Sequence, residues 1–276
     1  MSITAVRHLF LKDLKCHIQG EVLEDDLSLG IYATDASVYQ IKPLCVVLPK
    51  DEADVIRAIQ IAGDHKISIL PRGAGTSLAG QTVGRSMVLD FSKYMNKVLE
   101  VNVQDKWVRV LPGMARDDLN AILKPYHLHF APDPATSSRA NIGGMIGNNS
   151  SGTKSILYGK TVDNLLELKI VLADKTVMNL KELSPEEYAE KIKLTDREGE
   201  IYRQFEQVIK PNKKAIEAAF PKVMRRVQGY NLDEFVSTDR WNLSKIICGS
   251  EGTLATILEA KLKLESLPRL KSVCVV

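Results

Sequence analysis

The segment that most constrains this chain is Pro71-Arg72-Gly73-Ala74-Gly75-Thr76-Ser77-Leu78-Ala79-Gly80-Gln81-Thr82, which follows directly on the apolar run Ile67-Ser68-Ile69-Leu70. A strand-like run that breaks into glycines leaves successive backbone N–H groups in a concave turn, and such a nest takes an anion, most often a phosphate. The segment is therefore expected to be a nucleotide-binding loop at the carboxyl end of a strand. Two familiar phosphate loops fail on spacing. From Gly75 the order is that of a P-loop, but Gln81 stands where the lysine that charges the β- and γ-phosphates belongs. The dinucleotide fingerprint G-x-G-x-x-G is met by Gly73 and Gly75, yet Leu78 holds its last position and Gly80 comes two residues late.

A second cluster, Asn141 to Thr153, follows the rigid Pro132-Asp133-Pro134 turn, and a third, Gly249-Ser250-Glu251-Gly252-Thr253, opens the strand-like Leu254–Leu258. Small-residue loops of this kind can embrace one extended ligand. The pattern between them is regular. Leu44–Leu48 reads as a buried strand, and Asp51 to His65 puts Val55, Ile59 and Ala62 on one helical face with Asp51 as N-cap. Strand Ile67–Leu70 completes a β-α-β unit. Met87–Leu89, Val98–Val103, Trp107–Leu111 and Leu165–Leu172 read as further strands, and Leu119, Ile122, Leu123 and Tyr126 as a helix. Capping boxes at Ser184-Pro185-Glu186-Glu187 and Thr195-Asp196-Arg197-Glu198 open two more helices.

Composition excludes several classes. With 45% hydrophobic and 26% charged residues the chain is a folded α/β protein, not a disordered one. The net charge is only +3, and the pairs Lys213-Lys214 and Arg225-Arg226 do not extend into basic runs, so no nucleic-acid surface is expected. Cys16, Cys45, Cys248 and Cys274 lie far apart with no C-x-x-C, which gives no zinc or iron-sulfur site and suits thiols in a reducing compartment. Met1–Lys15 carries no defensible targeting signal, and no apolar run reaches the length of a membrane span. No metal site is expected.

The ordered set Tyr32–Ser37, Pro71–Gln81, Pro132–Pro134, Gly143–Met145, Tyr158–Thr161, Gly229–Leu232 and Gly249–Thr253 resembles the PCMH-type (type 4) FAD-binding domain of the vanillyl-alcohol oxidase superfamily. Within it, the chain is most similar to the D-lactate, D-2-hydroxyglutarate and glycolate dehydrogenase branch. The resemblance implies an α/β (α+β) fold of two subdomains, about 40–110 and 111–265, inside an FAD-binding domain spanning 40–265. Residues 1–39 would form an N-terminal arm, and 266–276, where the chain stops in Ser272–Val276, would begin a C-terminal substrate domain.

Carried over residue by residue, the resemblance assigns Arg72, Gly73, Ala74, Gly75, Thr76, Ser77 and Gln81 to the FAD pyrophosphate, chiefly through backbone N–H groups. Pro134, Ala135, Thr136, Gly143, Gly144, Asn148, Ser150 and Gly152 would line the flavin side, and Glu251 would lie near the cofactor. Several relatives attach the flavin through a histidine just after the loop glycines, where this chain has Thr76. No histidine or cysteine lies between His65 and His127. Noncovalent FAD is expected. The implied reaction is oxidation of a D-2-hydroxy acid by hydride transfer to flavin N5, with electrons passed to an acceptor, an iron-sulfur domain or subunit being one option. This chain alone would lack the catalytic base and be inactive. Its location would be cytoplasmic, or peripheral at the inner membrane through that acceptor.

Arg139, Arg225 and Arg226 are candidate partners of the acid's carboxylate, Tyr230 a candidate donor near the flavin, and His127 and His129 structural residues beside a turn. Two alternatives stay open: a nucleotide-binding regulatory or assembly module without catalysis, and another flavoenzyme of the superfamily, such as an alcohol oxidase or an enolpyruvyl reductase.

Overall fold

Cys45–Leu48 and Met87–Leu89 are apolar without alternation, as expected of strands covered on both faces, and both strands, the second running on to Asp90, are buried at every residue. They are β2 and β4 of a four-stranded sheet of order β1-β2-β4-β3, completed by β1 (Glu21–Leu23) and β3 (Ile69–Arg72). β2 and β3 run parallel to β4, and β1 is antiparallel to β2. Helices α1 (Ile3–His17) and α3 (Glu52–Asp64) cover one face, where Leu14, Val55, Ile59 and Ala62 share a core with Val47, Met87 and Leu89. α3 begins as the sequence indicates, with the Asp51 carboxylate accepting from Asp54 N–H. On the other face α2 (Asp26–Tyr32) buries Leu29 with Val46 and Val88. The computed structural model describes residues 3–268 and residue 270; Ser272–Val276, including Cys274, lies outside the described residues.

A second, antiparallel sheet has the order β5-β6-β12-β8-β9, from β5 (Val98–Asn102), β6 (Trp107–Val110), β8 (Leu165–Val171), β9 (Val177–Leu180) and the central β12 (Thr256–Lys263). Two short ribbons flank it, β7 (Leu128–His129) with β13 (Glu265–Ser266), and β10 (Glu182–Leu183) with β11 (Trp241–Asn242). Helices α4 (Arg116–Leu123), α5 (Ile142–Gly147), α6 (Ser155–Tyr158), α7 (Pro185–Lys193), α8 (Arg197–Ala219) and α9 (Ser244–Ile247) complete the chain. The larger core joins Val108, Leu168 and Leu262 of this sheet to Leu119 and Tyr202 of its helices. Val171 and Leu258 belong instead to the core of the first sheet, so the two sheets share buried surface.

Several elements differ from the sequence reading. Strand β3 starts at Ile69 and runs through Pro71 to Arg72; a proline is tolerated there because β3 is an edge strand and its missing N–H costs no ladder bond. The β-α-β unit is split, with β4 between β2 and β3. Within the 1–39 arm, β1 joins the first sheet and α1 and α2 pack on it rather than standing apart, and the change of sheet falls between Asp90 and Val98, ahead of residue 110. Helix α8 is capped by Asp196, which accepts from Gly199 N–H, and not by Thr195; Gly199 packs on Leu194, where a Cβ would lie 2.1 Å from Leu194 O. β12 begins at Thr256, two residues after Leu254, because 249–253 form a turn tied to α5.

Candidate functional site

The first glycine loop leaves β3 at the edge of the first sheet, and the other two approach it from the second. Gly249 and Glu251 donate backbone N–H bonds to Ile146 O and Gly147 O, both 2.9 Å, which pins the third loop against α5. Gln81 Nε2 donates to Glu251 Oε1 at 3.1 Å, a bond between the first loop and the third. Ser77 Oγ donates to Gln81 Oε1, which sets the amide's orientation. The loops thus enclose one cleft with about 1320 Å³ of empty space, part of it open to solvent.

Of the residues the sequence singles out, Arg72, Gly73, Ala74, Gly75, Thr76, Ser77 and Gln81 line this cleft from the first loop. Pro134, Thr136, Gly143, Gly144, Asn148 and Ser150 line it from the second region, and Glu251 from the third. Ala135 and Gly152 do not. Gly152 is spent on packing: a Cβ there would lie 2.0 Å from Asp133 O, and its N–H donates to Ser155 Oγ.

Among the described residues, none of the five backbone N–H groups from Gly73 to Ser77 donates to another part of the chain. Free donors in a row on a cleft wall suit an anionic ligand, because its oxygens replace the water such donors would otherwise bind. Gly75 lies at φ +68°, a left-handed conformation that glycine adopts without penalty, and a Cβ there would fall 2.6 Å from Arg72 Nη2. Gly73 is packed on Asn141, whose Oδ1 lies 2.7 Å from where a Cβ would be. Gly144 has nothing within 4 Å of its Cβ position and faces open cleft.

Arg72 does not offer its charge to the cleft. Its side chain is buried; Nη1 donates to Tyr32 O (3.2 Å) and Thr82 O (2.9 Å), Nη2 to Thr34 O (2.8 Å), and the guanidinium lies over the Tyr32 ring. Burial lowers its pKa, with Asp90, Tyr32 and Asp35 opposing. The resemblance assigns Arg72 to the cofactor, but its side chain is neither solvated nor free.

The other cations separate clearly. Arg226 is held by Asp233 and Asn231 and lies over Phe220. Arg225 is exposed and donates to Ser151 Oγ at 3.2 Å, on the cleft wall. Arg139 is exposed on the 135–139 turn. Tyr230 shares a hydrogen bond with Thr253 Oγ1 (2.9 Å), which in turn donates to Ser250 O (2.6 Å). His127 turns the chain at φ +55°, and His129 is buried against Tyr158 with Nδ1 near Glu265 O, away from the cleft.

Sequence reasoning missed apolar walls that come from distant segments, among them Phe91, Pro112, Val227 and Ile257. Nothing in their spacing marks them; only the fold collects them. Asn141 sat inside the second cluster but was not singled out. Its Nδ2 donates to Gly113 O (2.6 Å).

Unspent donors at one wall, apolar surfaces at others and glycines where no Cβ fits are what a dinucleotide needs, so the residues present fit a flavin adenine dinucleotide. Among the described residues no histidine, cysteine or tyrosine lines the cleft, no His/Cys/Asp/Glu group could hold a metal, and no helix is long and apolar enough to cross a membrane.

Residues 43–181 match the family described as FAD binding domain. The chain is 38% identical over 255 residues to D-2-hydroxyglutarate dehydrogenase of Pseudomonas putida, covering 91% of this chain and 25% of that protein. It is 29% identical over 271 residues to glycolate oxidase subunit GlcD of Bacillus subtilis, covering 95% of this chain and 47% of that one. Among solved structures, alkyldihydroxyacetonephosphate synthase shares the fold, with a TM-score of 0.67 at 21% identity over 95% of this chain and 44% of that chain. The chain thus spans about a quarter of the length of the dehydrogenase relative.

Proposed function

The chain belongs to the FAD-binding-domain family, and from that premise we propose that it is the flavin-holding part of an oxidoreductase acting on a D-2-hydroxy acid. The observation that carries the proposal is the row of unspent N–H donors from Gly73 to Ser77 on the wall of a cleft closed by two further loops. These donors take the pyrophosphate of FAD. Gly144 leaves room beside α5 for the rest of the cofactor, and the Phe91, Pro112 and Ile257 surfaces keep water from it. Bound FAD supplies a two-electron acceptor for the substrate's hydride.

The absence of a histidine, cysteine or tyrosine along the described cleft favours noncovalent binding. Arg225, exposed beside Ser151, is the cation best placed to receive a substrate carboxylate from the mouth of the cleft. The catalytic base lies in another domain, and electrons leave to a separate acceptor, for which an iron-sulfur domain or subunit is one class. The protein works in the cytoplasm, or at the inner membrane through that acceptor.

The test is the visible absorbance of the purified chain, before and after incubation with FAD and removal of the excess. Flavin bands that stay with the wild-type chain and disappear in Gly73→Val, with the fold intact by circular dichroism, support the reading. Retention by the variant overturns the loop assignment. A longer protein containing this chain should bleach its flavin anaerobically on addition of a D-2-hydroxy acid.

A further inference from the structure

Tyr32–Tyr39 lines no part of the cleft, yet it holds the first loop at both ends and in its middle. Arg72, where the loop begins, donates to Tyr32 O and Thr34 O. Thr82, where it ends, donates its hydroxyl to Asp35 Oδ2 at 2.8 Å. Arg72 also reaches Thr82 O, so the two ends of the loop are tied to each other and to the same segment. Between them, Ala36 N–H donates to Gly75 O at 3.0 Å, and the Tyr39 ring lies 2.6 Å from where a Cβ on Gly80 would be.

The segment itself is braced. Asp35 Oδ1 accepts from Ser37 N–H at 2.8 Å, Thr34 bridges to Gln40, and Ile41 N–H donates to Ala33 O at 2.8 Å. The Tyr32 hydroxyl donates to Asp90 Oδ2 at 2.5 Å, which anchors the segment to the end of β4. Every tie ends on the loop's carbonyls or side chains. None takes one of the N–H groups from Gly73 to Ser77, which stay without a partner among the described residues on a loop that lines the cleft.

We infer that Asp35 is a positioning residue of the cofactor loop, acting through Thr82, and that residues 32–39 are the buttress that holds the loop's N–H groups in their binding arrangement before any ligand arrives. Preorganisation of this kind raises affinity by removing the ordering cost that a free loop would otherwise carry. The inference rests on the flavin reading for the identity of the ligand. Its test separates the two.

The Ala36 amide is the reporter, since its hydrogen bond to Gly75 O exists only while the loop is docked on the segment. Its hydrogen exchange in the ligand-free chain and the Kd for FAD are measured in wild type, Asp35→Ala, Asp35→Asn and Thr82→Val. Asp35→Ala and Thr82→Val are expected to speed Ala36 exchange and weaken FAD binding by about tenfold or more, the size of losing a hydrogen bond to a charged group. Amides of β8 and β12 should keep their protection. Asp35→Asn, which can still accept from Ser37 and donate to Thr82, should restore most of both.

Unchanged Ala36 exchange in Asp35→Ala and Thr82→Val overturns the inference. So does a weakened Kd with Ala36 still protected, because Asp35 would then act on the ligand and not through the loop. If Asp35→Ala fails to fold, Thr82→Val, which removes only a hydroxyl, decides. If the wild-type chain takes up no FAD, the flavin reading fails on its own, while Ala36 exchange still decides whether the segment holds the loop.

Discussion

Gly144→Ala separates the stability of the fold from the occupancy of the cleft in a single methyl group. Gly144 is the third residue of α5, has no positive φ, and its Cβ position has no atom within 4 Å. In the ligand-free chain the substitution replaces a helical glycine with alanine in open space, which should stabilise by about 0.5–1 kcal/mol through the lower entropy of the unfolded chain. For a chain of this size that is a rise of roughly 1–4 °C in Tm. In the complex the same methyl stands on the surface the cofactor must meet, and forcing a methylene into a packed contact costs about 1–3 kcal/mol, or about five- to 150-fold in Kd. The assay is a thermal melt of the ligand-free chain paired with a titration of FAD followed by flavin fluorescence. A higher Tm with weaker binding is the expected pair. Unchanged affinity would refute the placement of the cofactor along α5, and a lower Tm would refute the open environment of Gly144.

Gly75→Ala should do the reverse and destabilise the chain itself, by about 2–3 kcal/mol in urea unfolding, since it places an L-residue at φ +68° and drives Arg72 from its carbonyl partners; a loss below about 1 kcal/mol would show that the loop can re-form without that turn. His129 carries a pKa lowered by burial from its ordinary value of 6.5. A depressed folded value means the unfolded chain binds the proton more readily, so the stability from burying the neutral ring is complete above pH 6.5 and drains as pH falls below it. A conservative His129→Asn variant should flatten the pH dependence of unfolding below pH 6.5. Burial raises the Cys45 thiol to about 12 and the Cys248 thiol further still, whereas Cys16 is exposed; peptide mapping after brief alkylation of the native protein at pH 8 should find Cys16 modified and the two buried thiols intact.

Local signals made parts of the fold legible. The unbroken apolar runs at Cys45–Leu48 and Met87–Leu89 read as buried strands, the Asp51 and Ser184 caps announced α3 and α7, and the glycines of 73–80 announced a loop of free N–H groups. Where two local signals competed, sequence was a poor guide. The capping box read from Thr195 starts one residue early: the structure caps α8 with Asp196, a carboxylate next in the chain that accepts from Gly199 N–H. A proline after Leu70 reads as the end of a strand, but the edge position of β3 removes the penalty that reading assumes.

The chemistry of the first loop was decided by the sequence itself, because glycines at 73 and 75 and the lack of a lysine at 81 set which backbone groups are free and which charge is missing, whatever surrounds them. The destination of Arg72 was not. A guanidinium beside a phosphate-like loop is an obvious ligand on paper, and only the approach of Tyr32, Thr34 and Thr82 from elsewhere shows it turned away and spent on carbonyls. The cleft walls at Phe91, Pro112, Val227 and Ile257 were equally undecidable from spacing. Conformational freedom and charge are properties of a residue and its immediate neighbours, and can be read locally. Burial and partnership belong to surfaces brought together by two sheets that share buried surface, and they exist only once the chain has folded.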